Sequence, residues 1–92
     1  MEERRKDLSE DLQDYIRNIR TLIEELEAVD YYSQRKEATD SEVIKNILQH
    51  HIEEEIEHAV MNLEWLRRND ECWDEMLREF IFTEDPITEY DL

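Results

Sequence analysis

Hydrophobic residues recur along this chain at the spacing of an α-helix in three successive segments. The pattern predicts helices over about residues 8–38, 42–69 and 71–82, with an acidic tail over 83–92. The chain has no glycine and one proline, so these long stretches contain no helix breaker and the expected fold class is all-α. In the first segment the apolar steps alternate between three and four residues, as on one face of a helix: Leu12, Tyr15, Ile19, Leu22, Leu26 and Val29.

The joins between the predicted helices carry helix-start signals. Thr39 and Glu42 have the spacing of a capping box, which predicts that the second helix begins there. Asp70 is the expected N-cap of the third, shorter helix. Because the first connection is so short, the two long helices are expected to pack against each other as an antiparallel hairpin.

Glu55 and His58 lie among the hydrophobic residues of the second helix rather than on its solvent side. They occupy adjacent turns of one helix face. Because the burial of an unpaired carboxylate is very unfavourable, we expect a cation beside Glu55 and interpret that cation as a metal ion. At about 100° per residue, the pair falls in the middle of an apolar stripe: Ile44, Leu48, Ile52, Ala59 and Leu66.

The predicted hairpin brings a cluster of glutamates on the first helix to the level of this pair. If the turn is centred near residue 40, position 25 lies level with position 55, and position 22 lies level with position 58. The first helix carries Glu-Glu-x-Glu from position 24 onward. The two long helices can therefore contribute ligands to one site.

Glu25 and Glu27 border opposite flanks of the apolar stripe on the first helix, whereas Glu24 points away from it. The periodicity does not choose between Glu25 and Glu27 as the ligand. Tyr32 follows Glu25 by seven residues and lies on its side of the helix. It is therefore placed to donate a hydrogen bond to a metal ligand.

Carboxylates together with one imidazole per helix pair form a hard, oxygen-rich ligand set. Such a set suits iron or manganese better than structural zinc, which usually takes cysteine or more histidine. In helical bundles, a di-iron carboxylate site takes one Glu from each of two helices and Glu-x-x-His from each of the other two. This chain has one helix of each kind. It therefore carries half of a site, which a two-fold dimer would complete as a four-helix bundle with two metal ions between the chains.

Length and charge narrow the range of partners. Ninety-two residues make a single domain, 1–92, and so short a chain buries little surface alone, which favours a homo-oligomer. The net charge of −16 argues against nucleic acid and anionic membranes and favours cations. No apolar run approaches the roughly 18–20 residues that span a bilayer, so the protein is expected to stay where it is made. The single cysteine, Cys72, permits no internal disulfide and fits a reducing compartment.

Long segments of the chain resemble the encapsulated ferritin family. The resemblance covers nearly the whole chain from the first helix onward. It implies a hairpin with a short third helix, which forms ferritin-like dimers with a ferroxidase centre between the chains. The dimers would assemble into a ring-shaped decamer, held as cargo inside an encapsulin nanocompartment in the cytoplasm. The matching segments are Glu-Glu-Leu-Glu-Ala-Val-Asp-Tyr-Tyr at 24–32 with Gln34 and Arg35, Glu54-Glu55-x-Glu57-His58-Ala59, Leu63-Glu64-Trp65-Leu66-Arg67-Arg68-Asn69-Asp70, and Phe82-Thr83-Glu84-x-Pro86-Ile87.

Carried over by position, the resemblance assigns the iron ligands to Glu25, Glu55 and His58 from both chains. It thus favours Glu25 where the periodicity left the choice open. The implied reaction is ferroxidation, in which two Fe²⁺ ions bound between the chains give electrons to dioxygen or peroxide. The Fe³⁺ would then leave for mineral stored within the surrounding encapsulin shell.

The resemblance also assigns roles around these ligands. Tyr32 matches a tyrosine beside the ligands, and Glu24 and Glu27 match acidic residues that attract or relay metal near the centre. The family usually has tryptophan where this chain has Tyr31, a difference expected to alter packing beside the centre. No encapsulin-targeting peptide follows Leu92, so we expect the chain to be either trimmed before such a peptide or a piece of a larger fusion.

A second hypothesis needs no catalysis. The chain would be an acidic helical assembly module whose dimer interface binds a divalent ion such as calcium or zinc. Other divalent cations are also possible at the acidic positions of a ferroxidase. His51, one turn before Glu55, is either a further ligand or a buried histidine beside an acid.

Overall fold

Three α-helices account for most of the chain. The computed structural model describes residues 8–88 and contains α1 (Glu10–Ala38), α2 (Glu42–Asn69) and α3 (Glu71–Phe80). These helices confirm the all-α prediction, although α3 ends two residues earlier than predicted. Residues 83–88 form neither helix nor strand, and the last four residues of the predicted tail, 89–92, lie outside the described part. None of these helices combines the length and the apolar character needed to cross a bilayer.

The turn between α1 and α2 differs from the predicted capping box. The N-cap of α2 is Ser41, whose side chain accepts a hydrogen bond from the Ile44 N–H at 3.3 Å. Thr39 instead closes α1, because its backbone N–H donates to the Arg35 carbonyl at 3.2 Å and its hydroxyl accepts from the Ser41 N–H. The prediction of a Thr39–Glu42 box was therefore wrong by two residues, since Thr39 is already used to end the first helix.

The junction between α2 and α3 is a single residue. Asp70 is the C-cap of α2 and the N-cap of α3, and its side chain accepts a hydrogen bond from the Cys72 N–H at 2.9 Å. This confirms the predicted cap. The backbone of Asp70 is extended rather than helical, so the chain changes direction at this residue. As a result, α3 packs beside the end of α2.

The core lies along the line where α1 and α2 meet. Leu66 is fully buried, and Ile52, Ala59 and Leu22 are nearly so. The three buried residues of α2 are spaced seven apart, which is the repeat of helices that pack at a shallow angle. Partly buried hydrophobic side chains pack against this line: Tyr15, Ile19, Leu63, Trp65 and Trp73.

Hydrogen bonds across the hairpin fix how the two long helices are aligned. The Asn18 side-chain N–H donates to the Asn62 side-chain oxygen at 3.0 Å. Residues 18 and 62 are equally distant from position 40, so this bond agrees with the predicted alignment. Near the turn, the Lys36 ammonium donates to the side-chain oxygen of Gln49 at 2.6 Å.

An ion-pair network and one hydrogen bond hold α3 in place. The Arg67 guanidinium contacts Glu64 at 2.7 Å and Asp74 of α3 at 2.8 Å. The Trp73 indole N–H donates to the Tyr15 hydroxyl at 2.9 Å, which ties α3 to α1. A hydrogen bond from Arg67, with a smaller effect from a hydrogen bond from Arg68, lowers the pKa of Glu64 to about 2. Arg67 likewise lowers the pKa of Asp74.

We predict that Leu66→Ala destabilises the fold by about 3 kcal/mol, because it leaves a cavity where the side chain is fully buried. Val43→Ala is the control, since Val43 is 69% exposed and its truncation should change the free energy of unfolding by less than about 0.5 kcal/mol. Urea denaturation at one chain concentration measures both variants. Equal losses for the two variants would contradict this description of the core.

We predict that Glu64→Gln lowers the melting temperature at pH 6 and that its difference from the wild type disappears near pH 2. The lowered pKa means that ionised Glu64 stabilises the fold fully above about pH 4.5 and loses this contribution as the pH falls towards 2. Circular dichroism melts between pH 2 and 6 measure the difference. Glu53→Gln is the control, because Glu53 contacts the neutral amide of Gln49 rather than arginine. A Glu64→Gln difference that did not change with pH would contradict the prediction.

Candidate metal centre

A row of polar residues runs beside the apolar core line of the hairpin. On α1 the apolar row is Tyr15, Leu22 and Val29, and on α2 it is Ile52, Ala59 and Leu66. Five members of these rows are each followed, three positions later, by a half-buried residue with a polar group. These residues are Asn18, Glu25 and Tyr32 on α1, and Glu55 and Asn62 on α2. We call the side of the hairpin that carries these five residues the site face.

Helix geometry explains why these residues share one side. A step of three residues turns an α-helix by about 300°, so each polar residue lies about 60° from the core line. Because α1 and α2 are antiparallel, the same step moves both sets of side chains to the same side of the hairpin. The hydrogen bond from the Asn62 side chain to the Glu25 carboxylate, at 2.8 Å, joins the two sets.

Glu55 and His58 form a pair on consecutive turns of α2. The Glu55 Oε2 and His58 Nδ1 atoms are 3.9 Å apart, and the two side chains are 24% and 49% exposed. This separation is less than twice a metal–ligand distance of about 2.1 Å, so one ion can contact both atoms. A carboxylate with a neutral imidazole is also a suitable donor set for Fe²⁺.

The predicted position of this pair in the middle of the buried stripe was wrong for one chain. No polar or charged side chain among residues 8–88 is buried. The reason is that the core between two helices is one row wide, so Ile52 and Ala59 are shielded while Glu55 stands at the edge and His58 is exposed. Only a further layer of protein over the site face would shield both side chains from water.

The structure places the glutamates of α1 differently from one another. Glu25 is half-buried on the site face, bonded to Asn62 one turn beyond His58. Glu24 and Glu27 are exposed, and Glu27 lies on the opposite flank of α1. Among residues 8–88, no three or more Asp, Glu, His or Cys side chains are grouped so that they could hold a metal ion. A single chain thus carries Glu25 and the Glu55–His58 pair on one side of the hairpin without grouping them around one point.

Tyr32 lies on the site face but contacts a neighbour that the sequence did not predict. Its ring stacks on the His51 imidazole with 5.3 Å between centroids, and the Arg35 guanidinium lies 5.5 Å from its centroid. His51 is exposed, so it is not the buried histidine that was one of its two interpretations. The neighbouring His50 pairs with Glu54 at 2.7 Å.

Asn18 and Asn62 are the site-face residues that the sequence analysis missed. Both are neutral amides that are not themselves part of a metal-binding motif. Only their position in the sequence indicates that they lie on the site face, because each follows an apolar core residue by three positions, as Glu25 and Glu55 do. A search for polar residues in that row would have found them.

Both sides of the hairpin expose hydrophobic side chains. Ile44 and Ile47 are exposed on the site-face side of α2, and Ile56 and Val60 are exposed on the other side. Val60 also lines a groove between α2 and α3 with Leu63 and Leu77. A chain of this size with two such surfaces is suited to contact further protein on both sides.

Comparison with known sequences identifies the family. A sequence model of the EncFtn-like family matches residues 1–84. The chain is 53% identical over 76 residues to a ferritin-like protein of Thermotoga maritima, covering 83% of this chain and 67% of that protein. It is 56% identical over 72 residues to an encapsulated ferritin-like protein of Rhodospirillum rubrum, covering 78% and 51% of the two chains. The chain therefore belongs to the EncFtn-like, or encapsulated ferritin, family.

Two further comparisons agree with this assignment. An encapsulin nanocompartment cargo protein of Myxococcus xanthus is 47% identical over 55 residues, covering 59% of this chain and 42% of that protein. The chain thus spans about half the length of the R. rubrum and M. xanthus relatives. A crystal structure of a protein from Nitrosomonas europaea is similar with a TM-score of 0.91 and 45% identity, covering 97% of this chain and 98% of that one. The helical fold described above is therefore shared with an experimentally determined structure.

Proposed function

We propose that this chain is a ferroxidase that oxidises Fe²⁺ to Fe³⁺ at a site of two iron ions formed between two copies. The observation that carries this proposal is the half-set of ligands on the site face. Glu25 on α1 and the Glu55–His58 pair on α2 stand on one side of the hairpin. Two such faces, related by a two-fold axis, bring together the ligand set that di-iron carboxylate bundles use.

The exposed hydrophobic residues beside the site support this dimer. Ile44 and Ile47 lie on the same side of α2 as Glu55 and His58, where a second copy would cover them. Burial of such residues is favourable, and it would also exclude water from the partly exposed carboxylate of Glu55. The paired carboxylates then need positive charge, which the iron ions supply.

Each ligand has a chemical part in the reaction. The carboxylates of Glu25 and Glu55 stabilise Fe³⁺ relative to Fe²⁺ by their charge, and His58 supplies a neutral nitrogen ligand. Two Fe²⁺ ions lose one electron each. The two electrons and two protons convert dioxygen to hydrogen peroxide, or convert hydrogen peroxide to two water molecules. Iron is the substrate and leaves as Fe³⁺.

Acidic residues around the site favour delivery of the substrate. Glu24 and Glu27 are exposed on α1 close to Glu25 in sequence, and the whole chain has a net charge of −16. A strongly negative surface raises the local concentration of cations. We therefore propose that Glu24 and Glu27 attract iron towards the centre. We also propose that Tyr32, which lies on the site face, orients the ligands.

We also propose that the dimers form a larger homo-oligomer, a ring-shaped decamer, carried as cargo inside an encapsulin shell in the cytoplasm. A ring built from two-fold dimers needs a second contact, and the exposed Ile56 and Val60 on the opposite side of the hairpin are available for it. The names of the R. rubrum and M. xanthus relatives support the encapsulated location.

We predict that aerobic oxidation of added Fe²⁺, followed by ferric absorbance, is fast for the wild type and falls to the rate of iron in buffer for Glu55→Ala and His58→Ala. The loss should be at least as large as the ~10–100-fold effect of removing a group that only supports a metal ligand. Glu53→Ala is the matched control, because it removes an exposed carboxylate from the same helix two residues from Glu55.

Equal rates at the background level for all four proteins would contradict the proposal. That outcome would favour the alternative, an acidic helical assembly module that binds a divalent metal without catalysis. Loss of activity in Glu53→Ala to the same extent would also contradict the assignment, since general negative charge rather than the Glu55–His58 pair would then explain the oxidation.

A further inference from the structure

We propose that Asn62 is a positioning residue that holds the Glu25 carboxylate in place for metal binding, and that Asn18 supports Asn62 through a hydrogen bond to its side-chain oxygen. The three side chains form a continuous chain of hydrogen bonds across the hairpin. Asn18 donates to Asn62 at 3.0 Å, and Asn62 donates to Glu25 Oε2 at 2.8 Å. This inference rests on the proposed function, because it assigns a role beside the same metal site.

The hydrogen-bonding capacity of Asn62 is used at both ends of its amide. Its nitrogen donates to the Glu25 carboxylate and also to the backbone carbonyl of His58 at 3.1 Å, which accounts for both N–H groups. Its oxygen accepts the bond from Asn18. Asn62 therefore touches one proposed ligand through its side chain and the backbone of another.

The acceptors around the Asn62 nitrogen make the other orientation of the Asn62 amide unfavourable. If the Asn62 amide were turned over, its oxygen would face two other oxygens, those of the Glu25 carboxylate and the His58 carbonyl. The Asn18 oxygen itself is buried and has no hydrogen-bond partner within residues 8–88. An unpaired buried oxygen is unfavourable, so packing alone would be better served by an apolar residue at this position. The donor of Asn18 is the group that the arrangement uses.

A neutral donor suits the function of Glu25. A glutamate side chain loses conformational entropy when it binds a metal, because several of its bonds can no longer rotate. A hydrogen bond that already restrains the side chain reduces this loss. Asn62 adds no positive charge, so the Glu25 carboxylate keeps its full negative charge for the ion. An arginine or lysine at the same place would compete with the metal.

The simpler interpretation is that the two amides only fix the alignment of α1 and α2, as single polar residues do in coiled coils. That role would affect folding and assembly without any specific effect on metal affinity. The two interpretations therefore separate when metal affinity is measured on variants shown to be folded and assembled like the wild type.

The experiment titrates each protein with Co²⁺, an air-stable probe for Fe²⁺ sites, and follows the visible absorption of the bound ion. We expect Asn62→Leu to raise the half-saturating Co²⁺ concentration by about tenfold or more, as loss of a group that supports a ligand usually does. Asn69→Leu is the matched control. Asn69 also bonds the carbonyl four residues earlier, at 2.8 Å to Trp65, but lies at the end of α2, seven residues beyond Asn62.

A double-variant comparison shows whether Asn62 acts through Glu25. In the Glu25→Ala background, Asn62→Leu should add no further change in half-saturation, because the group that it positions is already missing. An unchanged half-saturation in Asn62→Leu, alongside a large increase in Glu25→Ala, would overturn the proposal. Full additivity of the two changes would also overturn it.

Asn18→Leu provides an independent test if Asn62→Leu does not fold. It leaves Asn62 in place and should raise the half-saturating concentration in the same direction but less. Failure of both variants to fold would assign the amides to hairpin stability and overturn the proposal. A wild type that binds Co²⁺ but does not oxidise Fe²⁺ would contradict only the ferroxidase, whereas a wild type that binds no Co²⁺ would overturn the metal site and this proposal with it.

Discussion

Two helices in contact share one line of closest approach, and only the residues on that line are shielded from water on both sides. In this protein the line is occupied by Leu22, Ile52, Ala59 and Leu66. The next row along each helix stands at the edge of the hairpin, and it carries the amides and carboxylates of the proposed site. A single chain therefore has a small hydrophobic core of its own. The polar row beside this core remains partly exposed to solvent.

The same limit connects the site to assembly. A carboxylate and an imidazole at the edge of a two-helix core need no compensation while they face water, but they acquire a strong need for a cation when another protein layer covers them. Covering also removes the exposed hydrophobic residues Ile44 and Ile47 from water. In the proposed dimer, assembly and metal binding would therefore favour each other. Within one chain, Arg67 and Trp73 hold the third helix against the hairpin.

Much of the architecture could be predicted because it depends on local pattern. Spacing of apolar residues indicated all three helices, and Asp70 was identified as a cap from residue type alone. The prediction that Thr39 caps α2 was wrong because the same residue type can end one helix or begin the next. The hydrogen bond from the Thr39 N–H to the Arg35 carbonyl shows that Thr39 ends α1. The burial of Glu55 and His58 was overestimated because a helical wheel shows direction but not how many neighbours cover a face. The Asn18–Asn62–Glu25 chain depends on contacts across the hairpin, which a search for metal ligands along one helix does not reveal.

The central claim is that one chain holds half of a metal site and two chains complete it. Native mass spectrometry after anaerobic addition of Fe²⁺ tests this claim most directly, because it counts bound ions separately for each assembly state. We expect no iron on monomers and two iron ions for every pair of chains in dimers and larger assemblies. One iron ion on each monomer, with the same ratio in every assembly state, would contradict the account.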